Sequence, residues 1–260
     1  MVATNDVLAE ADRNMLETWE WLTDLGPAPG RTEVDGLVML STGVPVSLFN
    51  PTHVVGTIHD PGAAVAAVTA HYGELGAPFS IVFRDDVAPG LADACASAGL
   101  VEHWQMPLMV LDPIPADGGG PVPDGLEIIT VDESTIEAYG DVLAEGFGMP
   151  RELVSLILGP TLLGHDAFTA LLGLLDGQPA ATSGVYVSGD IAGVYNVATV
   201  PSARGKGVGA AITWAAALAG REAGMTRSIL QASQMGEPVY ARMGYERPAR
   251  YRQFEPAPTI

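Results

Sequence analysis

Between Val197 and Ala211 the chain reads VATVPSARGKGVGAA. An apolar, strand-like run stops at Pro201, a short glycine-rich segment follows, and a helical pattern begins inside it. Arg204, Gly207 and Gly209 fall in an R-x-x-G-x-G spacing, and Gly205 adds a further glycine. Small residues let a bulky anion come close to the backbone. The first turn of a helix offers N–H groups that have no partner within the helix, and the helix dipole adds favourable potential. The pattern therefore points to a pyrophosphate-sized anion held between Gly205 and Ala210. The only lysine of the 260 residues, Lys206, lies in the same loop.

The elements around this loop are legible from apolar periodicity and turn residues. Leu126–Val131 reads as a strand, and Glu133–Phe147 and Arg151–Leu158 as helices broken around Gly148 and Pro150. Phe168–Leu175, Ala181–Ser188 and Ile191–Val200 read as three strands joined at Asp176-Gly177 and Gly189-Asp190, dipeptides that favour tight hairpins. A helix follows from about Lys206 to Ala223, with Val208, Ile212, Ala215 and Ala219 on one face and Gly224 at its end. Then come a strand Arg227–Gln231, a helix around Gly236–Met243 and a strand Tyr245–Phe254.

Other phosphate loops fit less well. A P-loop is excluded, because no G-x-x-x-x-G-K-[ST] run occurs. A Rossmann unit accepts Gly205, Gly207 and Ala210 as its glycine positions. It needs a parallel βαβ unit and an acidic residue after the second strand, however. Here the preceding strands read as antiparallel, and Arg227–Gln231 leads to Ser233. A flexible glycine-rich connection is the bland alternative.

The run Arg204-Gly205-Lys206-Gly207-Val208-Gly209 resembles the acetyl-CoA loop of the GNAT superfamily of N-acetyltransferases, [QR]-x-x-G-x-[GA]. In that family the loop lies between the fourth strand and the third helix. A second block, Tyr240-Ala241-Arg242-Met243-Gly244-Tyr245, is similar to the family's Y-E-K-x-G-F. The resemblance covers about Leu126 to Phe254. It implies a mixed α/β (α+β) fold with a mostly antiparallel, twisted sheet flanked by helices, and acetyl transfer from acetyl-CoA to a primary amine.

The same resemblance implies roles for particular residues. Backbone groups of Val197, Ala198 and Thr199 would pair with the pantetheine arm as an added strand does. Arg204, Gly205, Lys206, Gly207, Val208, Gly209 and Ala210 would form the cofactor loop. Tyr240 would be the catalytic general acid. A phenol with pKa ~10 is suited to protonating the thiolate of a leaving thiol with pKa ~8.5. The family often has Asn seven residues before this tyrosine. Ser233 stands there and keeps a group that donates and accepts.

No general base stands out. Glu145, Glu152 and Asp166 would flank an acceptor groove, and Tyr195 and Asn196 lie where acetyl and amine should meet. Each also reads as a structural or solvated residue. No Cys or Ser nucleophile with a nearby base is apparent, so direct attack in a ternary complex is expected over a covalent acetyl-enzyme. A silent acyl-CoA sensor or assembly module, and a mycothiol-synthase-like acyltransferase, remain open alternatives.

The first half of the chain is less specific. The run Asp112–Asp124, with four prolines and three consecutive glycines, reads as a linker. It divides the chain into an N-terminal α+β domain (1–111), the linker (112–124) and a GNAT domain (125–260). Helical signals cover Leu8–Leu22, Pro61–Leu75 and Leu91–Ala98. Strand signals cover Gly36–Ser41, Val46–Phe49, His53–Ile58, Phe79–Phe83 and Val101–Leu111. The order allows a degenerate GNAT half, as in tandem members of the superfamily. Its best counterpart to the loop is expected at Phe83–Gly90, which has one glycine and two acids and would repel a pyrophosphate.

Charge narrows the partners. The formal net charge is -19, with 12 basic and 31 acidic residues. Residues 1–124 carry -14 of it. Nucleic acid and anionic membranes are poor partners for such a chain. A cationic amine acceptor, drawn to an acidic wall formed by the first half, is the expected partner. The first half also suits a dimerisation surface. Cys95 alone permits no intrachain disulfide, and the scattered histidines His53, His59, His71, His103 and His165 have no metal-ligand spacing. No apolar run reaches ~20 residues and no leader pattern opens the chain, so a cytoplasmic protein is expected.

Overall fold

The computed structural model describes residues 5–116 and 119–257. In chain order its elements are helix α1 (Asn5–Asp24), strands β1 (Gly30–Val34), β2 (Leu37–Ser41) and β3 (Pro51–Val54), helix α2 (Pro61–Leu75), strand β4 (Ser80–Phe83), helix α3 (Leu91–Ser97) and strand β5 (Leu100–Leu111). Next come β6 (Leu126–Thr130), α4 (Ile136–Phe147), α5 (Arg151–Ser155), β7 (Phe168–Leu175), β8 (Gln178–Ser188) and β9 (Ile191–Thr199). The last are α6 (Val208–Glu222), β10 (Arg227–Gln231), α7 (Glu237–Arg242) and β11 (Glu246–Pro256). The result is a mixed α/β fold whose sheet pairings are mostly antiparallel. Among the described residues no helix is long and apolar enough to cross a membrane.

The chain forms two compact units, and each takes a terminal segment from beyond its main run. One holds Leu16–Pro107 with the chain from Ala249 onward. The other holds Leu108–Pro248 with the chain up to Met15. The division follows packing rather than the Pro/Gly-rich run 112–124, of which Asp117 and Gly118 lie outside the described residues. Asn14 explains why the start of α1 belongs with the later unit. Its buried side chain donates to Tyr186 O (3.2 Å) and Ser188 Oγ (3.0 Å) and accepts from the Tyr195 hydroxyl (2.7 Å).

In the unit built on Leu16–Pro107, β1, β2 and β3 pair antiparallel in succession. The β3 strand pairs parallel with β4 across α2, and β4 pairs antiparallel with Arg252–Phe254 of β11. One face of this sheet buries Leu37, Met39, Ile81 and Phe83 against Val65, Val68 and Tyr72 of α2. The strand expected at Val46–Phe49 is instead a 3₁₀ turn, Ser47–Phe49. Its cause is Asn50, whose carboxamide accepts from Thr42 N–H and donates to Val44 O, Val46 O and Pro78 O, holding the chain in a loop. The strand expected at His53–Ile58 ends at Val54.

His53 of β3 is 3% exposed, and its Nε2 has no hydrogen-bond partner among the described residues. Burial holds its ionisation down to about 4, against 6.5 for a free imidazole. The folded value lies below the unfolded one, so this neutral histidine contributes full stability above the unfolded pKa. That contribution is lost as pH falls from about 6.5 to 4, and amounts to about 3 kcal/mol. Urea midpoints measured at pH 7 and pH 4.5 should fall more in the wild type than in His53→Leu. An equal fall in both would show that His53 does not carry this acid sensitivity.

In the other unit, β6 through β9 form an antiparallel meander. Asp176 and Gly177 take φ of 52° and 76° at the β7–β8 turn, the positive pair that such a hairpin needs. The β9 strand then pairs parallel with β10 across α6, and β10 pairs antiparallel with Leu108–Leu111 of β5. The order β7-β8-β9-α6-β10 thus repeats the pairing pattern of β1-β2-β3-α2-β4. The same supersecondary unit occurs twice in the chain.

Candidate functional site

The central feature of the later unit is a break in the β8–β9 ladder. Gly184 faces Tyr195 and Thr182 faces Ala198, so Ser183 opposes two residues, Asn196 and Val197. Asn196 sits at φ 55°, a left-handed conformation that asparagine tolerates better than most residues. This is a β-bulge, and a bulge sharpens the local twist. Thr182 Oγ1 pins it by donating to Asn196 O at 2.9 Å.

Beyond the bulge, the two central strands part. The parallel ladder of β9 and β10 covers only Ile191–Gly193 against Arg227–Ile229. The β10 strand continues to pair with β5 through Leu230 and Gln231, whereas Val197, Ala198 and Thr199 of β9 have no ladder to β10. The backbone edge at 197–199 is therefore open to an extended chain that brings its own donors and acceptors.

The open edge runs into the glycine loop. A 3₁₀ turn, Pro201–Ala203, leads to Arg204, and Gly205 and Gly207 adopt φ of 76° and 83° before α6 begins at Val208. The Arg204 guanidinium donates to Thr199 O (3.1 Å) and Gly146 O (2.9 Å), tying the loop to the end of β9 and to α4. No side chain caps α6, so the first-turn N–H groups at Val208, Gly209 and Ala210 lack a side-chain acceptor. Lys206 is exposed at the loop. Backbone donors, the positive end of a 15-residue helix and an adjacent ammonium group make this an anion-binding corner.

The matching corner of the other unit is built in the opposite sense. Its place in the repeated topology is 55–60, between β3 and α2, rather than Phe83–Gly90, which joins β4 to α3. Asp60 Oδ1 accepts from Ala63 N–H (3.0 Å), and Pro61 occupies the first helical position with no N–H to give. Asp35 Oδ2 accepts from the N–H groups of His59 and Asp60, and its other oxygen lies 2.7 Å from His59 Nδ1. Carboxylates thus take the Ala63 N–H of the first turn of α2 and the N–H groups of His59 and Asp60 just before it, and their charge would repel an anion.

Tyr240 and Ser233 come from the segment after β10. Tyr240, on the six-residue α7, is 9% exposed. Its ring lies so close to Gly236 that an added Cβ there would be 2.8 Å from Cε2. Its hydroxyl faces Thr213 of α6, whose own Oγ1 donates to Gly209 O at 2.8 Å. Tyr240 therefore addresses the first turns of the helix that carries the anion corner. Burial pushes its ionisation up to about 12, with the Thr213 contact opposing, so it is a protonated donor at neutral pH. The exposed Ser233 accepts from Gly236 N–H through Oγ (3.1 Å) and so shapes the turn into α7. Loop, Tyr240 and Ser233 all follow the carboxyl ends of the parallel pair β9 and β10, where open sheets commonly bind ligands.

The candidate bases are not brought together. Glu145, Glu152 and Asp166 are exposed, and the Tyr195 hydroxyl is committed to Asn14. Asn14 is an asparagine inside a helix, and its sequence neighbourhood carries no local signal of the strands it meets across the fold.

Residues 142–245 match the family model for the acetyltransferase (GNAT) family. This segment is a GNAT domain. It spans the bulge, the open edge of β9, the glycine loop and Tyr240, and it makes the chain an acyltransferase that uses an acyl-CoA donor. Solved structures are similar along most of the chain. A GCN5-related N-acetyltransferase from Kribbella flavida has a TM-score of 0.76 and 20% identity, over 96% of each chain. A GCN5-related N-acetyltransferase from Sphaerobacter thermophilus has a TM-score of 0.62 and 16% identity, over 96% of this chain and 90% of its own. A tandem GNAT protein from the clavulanic acid biosynthesis pathway has a TM-score of 0.58 and 17% identity, over 100% of this chain and 98% of its own. At these identities the likeness is one of fold, and it extends to both units. No curated protein sequence matches the chain.

Proposed function

We propose that this chain transfers an acetyl group from acetyl-CoA to a primary amine by direct attack in a ternary complex. The observation that carries the reading is the continuous path from the open edge at Val197–Thr199 into the uncapped start of α6, with Tyr240 facing the same helix. Backbone groups of Val197, Ala198 and Thr199 pair with the pantetheine arm. Arg204 positions the loop, and Gly205–Ala210 with Lys206 hold the pyrophosphate. Ser233 offers its hydroxyl at the margin of the same corner.

The chemistry then needs three events. The neutral amine attacks the thioester carbonyl and forms a C–N bond. The C–S bond breaks as the tetrahedral intermediate collapses, and the Tyr240 O–H supplies a proton to the departing sulfur. The proton lost by the amine passes to water, and the Tyr240 oxygen regains its proton from water once the thiol has left. The net charge of -19 favours cationic amines over neutral ones of similar size through attraction at long range.

The test is thiol release from acetyl-CoA across a panel of amines, peptides and aminoglycosides, with products weighed by mass spectrometry. Amine-dependent release with an acetylated product is expected. Binding of acetyl-CoA with no release for any amine would instead favour a silent acyl-CoA sensor.

A further inference from the structure

A buried donor stands where β9 and β10 part. The last rung of their parallel ladder joins Gly193 to Ile229, and β10 runs on to Gln231 while still paired with Leu108 of β5. Gln231 is half-buried, yet its Nε2 is shut off from solvent and has no hydrogen-bond partner among the described residues. A dry, unpaired amide donor works against folding, so native structures keep few of them without a use.

The ladders fix the face of the sheet to which Gln231 belongs. Partners on adjacent strands share a face, and successive residues alternate. Ala192 packs so closely on α6 that a Cβ added to Gly220 would stand 2.2 Å from the Ala192 Cβ, and Ala192 is the partner of Ser228. Ser228 and Leu230 therefore face α6. Ser228 Oγ lies 2.7 Å from the Tyr245 hydroxyl, and the Tyr245 and Tyr240 rings are 6.1 Å apart, so Tyr240 belongs to the same side. Ile229 and Gln231 alternate to the other face, the one on which Asn14 stands against Gly193. Gln231 and Tyr240 thus flank the parting of the strands from opposite faces.

The repeated topology gives a contrast. Two residues past the last parallel rung, Gln231 follows Ile229 in one unit, and Arg84 follows Val82 in the other. The buried Arg84 donates through Nε and Nη2 to both carboxylate oxygens of Asp86 at 3.1 Å. That position is engaged by an ion pair, whereas the Gln231 donor is left open beside the glycine loop's own unit.

We propose that Gln231 donates to the thioester oxygen of the acyl donor and stabilises the oxyanion that forms on it. The inference rests on the acetyl-transfer reading, in which the pantetheine arm runs back from the glycine loop along Val197–Thr199 and brings the thioester to the point where the strands part. Of the reacting atoms, the amine nitrogen needs its lone pair for attack, and sulfur takes its proton from Tyr240. The carbonyl oxygen is the acceptor that remains. As the C–N bond forms, the C=O π pair moves onto that oxygen, where a fixed amide donor shielded from water stabilises the charge. When the pair returns, the C–S bond breaks and Gln231 is unchanged.

The experiment uses the full chain and acetyl-CoA carrying ¹³C at the carbonyl, whose bound thioester band is read by infrared difference spectroscopy. A hydrogen bond to the oxygen lowers this band. It should lie lower in the wild type than in Gln231→Met, which keeps the length of the side chain and removes its donors. Gln231→Glu at pH 7, where a carboxylate donates nothing, gives the same reading should the Met variant fail to fold. With an amine acetylated in the thiol-release panel, Gln231→Met should lower kcat by about 10²-fold, the usual worth of one oxyanion donor, while acetyl-CoA affinity changes by at most about 10-fold. The kcat of Gln231→Glu relative to the wild type should climb as pH falls, because the protonated carboxyl can donate. A purely structural role would leave that ratio flat.

A carbonyl band at one position in the wild type and both variants, or an unchanged kcat in Gln231→Met, would overturn the proposal. If acetyl-CoA binds but no amine is acetylated, the transfer reading fails, and the infrared band alone decides whether Gln231 meets the thioester.

Discussion

Tyr240→Phe is expected to leave acetyl-CoA affinity unchanged and to lower turnover by about 10²–10⁴-fold, the usual worth of a positioned general acid. The substitution removes one oxygen. The ring keeps its packing against Gly236, and the lost hydroxyl faces only Thr213 among the groups that influence its ionisation. The folded state should therefore lose at most about 1 kcal/mol. Negative charge on sulfur is greatest as the C–S bond breaks, so the proton from Tyr240 acts on the transition state and appears in kcat. With an ionisation near 12, Tyr240 stays protonated throughout the neutral range, and its own titration leaves no limb in the pH profile there. Steady-state kinetics with a verified acceptor, paired with calorimetry on both proteins, separates the two quantities. An unchanged kcat would make Tyr240 a packing residue.

What could be read in advance follows from how local the physics is. The loop from Arg204 to Gly209 is a contiguous run whose glycines, arginine and following helix act through near neighbours. The hairpin turns at Asp176-Gly177 and Gly189-Asp190 are equally local. The same signal was present at Asp35-Gly36, which take φ of 41° and 74° and join β1 to β2. Strand β1 itself carries no strand signal, because GRTEV is polar and mostly exposed and shows no apolar alternation.

The 3₁₀ turn where apolar residues predict a strand, Val46–Phe49, has a different cause. Its apolar content is real, but Asn50 captures the carbonyls that a strand would have offered to a neighbour. Register is less accessible still. The bulge at Asn196 exists only relative to Gly184 and Thr182 on β8, and nothing in the sequence of β9 alone reveals it. Asn14 acquires its role from Tyr195, a partner 181 residues away. The repeat of β1-β2-β3-α2-β4 as β7-β8-β9-α6-β10 is likewise carried by pairing pattern without residue identity. The corner at α2 is acidic where that at α6 is basic: Asp60 takes the Ala63 N–H and Asp35 those of His59 and Asp60, whereas the first turn of α6 has no side-chain cap.

Gly207→Glu is expected to reduce acetyl-CoA affinity by about 100-fold or more, because a carboxylate at the start of α6 meets the pyrophosphate at close range. Gly207 sits at φ 83°, so any L-residue there is strained as well. Gly207→Asn separates the two effects, since asparagine tolerates the left-handed region and adds no charge. The added side chain has room, because the nearest atom to a Cβ at this position is Pro123 Cγ at 3.5 Å. The Asn variant should lose far less affinity than the Glu variant. Calorimetric titration of the intact chain with acetyl-CoA tests the site assignment most directly. One equivalent is expected to bind the wild type, at α6 only, and almost none the Glu variant. Undiminished binding by Gly207→Glu, or two equivalents per wild-type chain, would contradict the account.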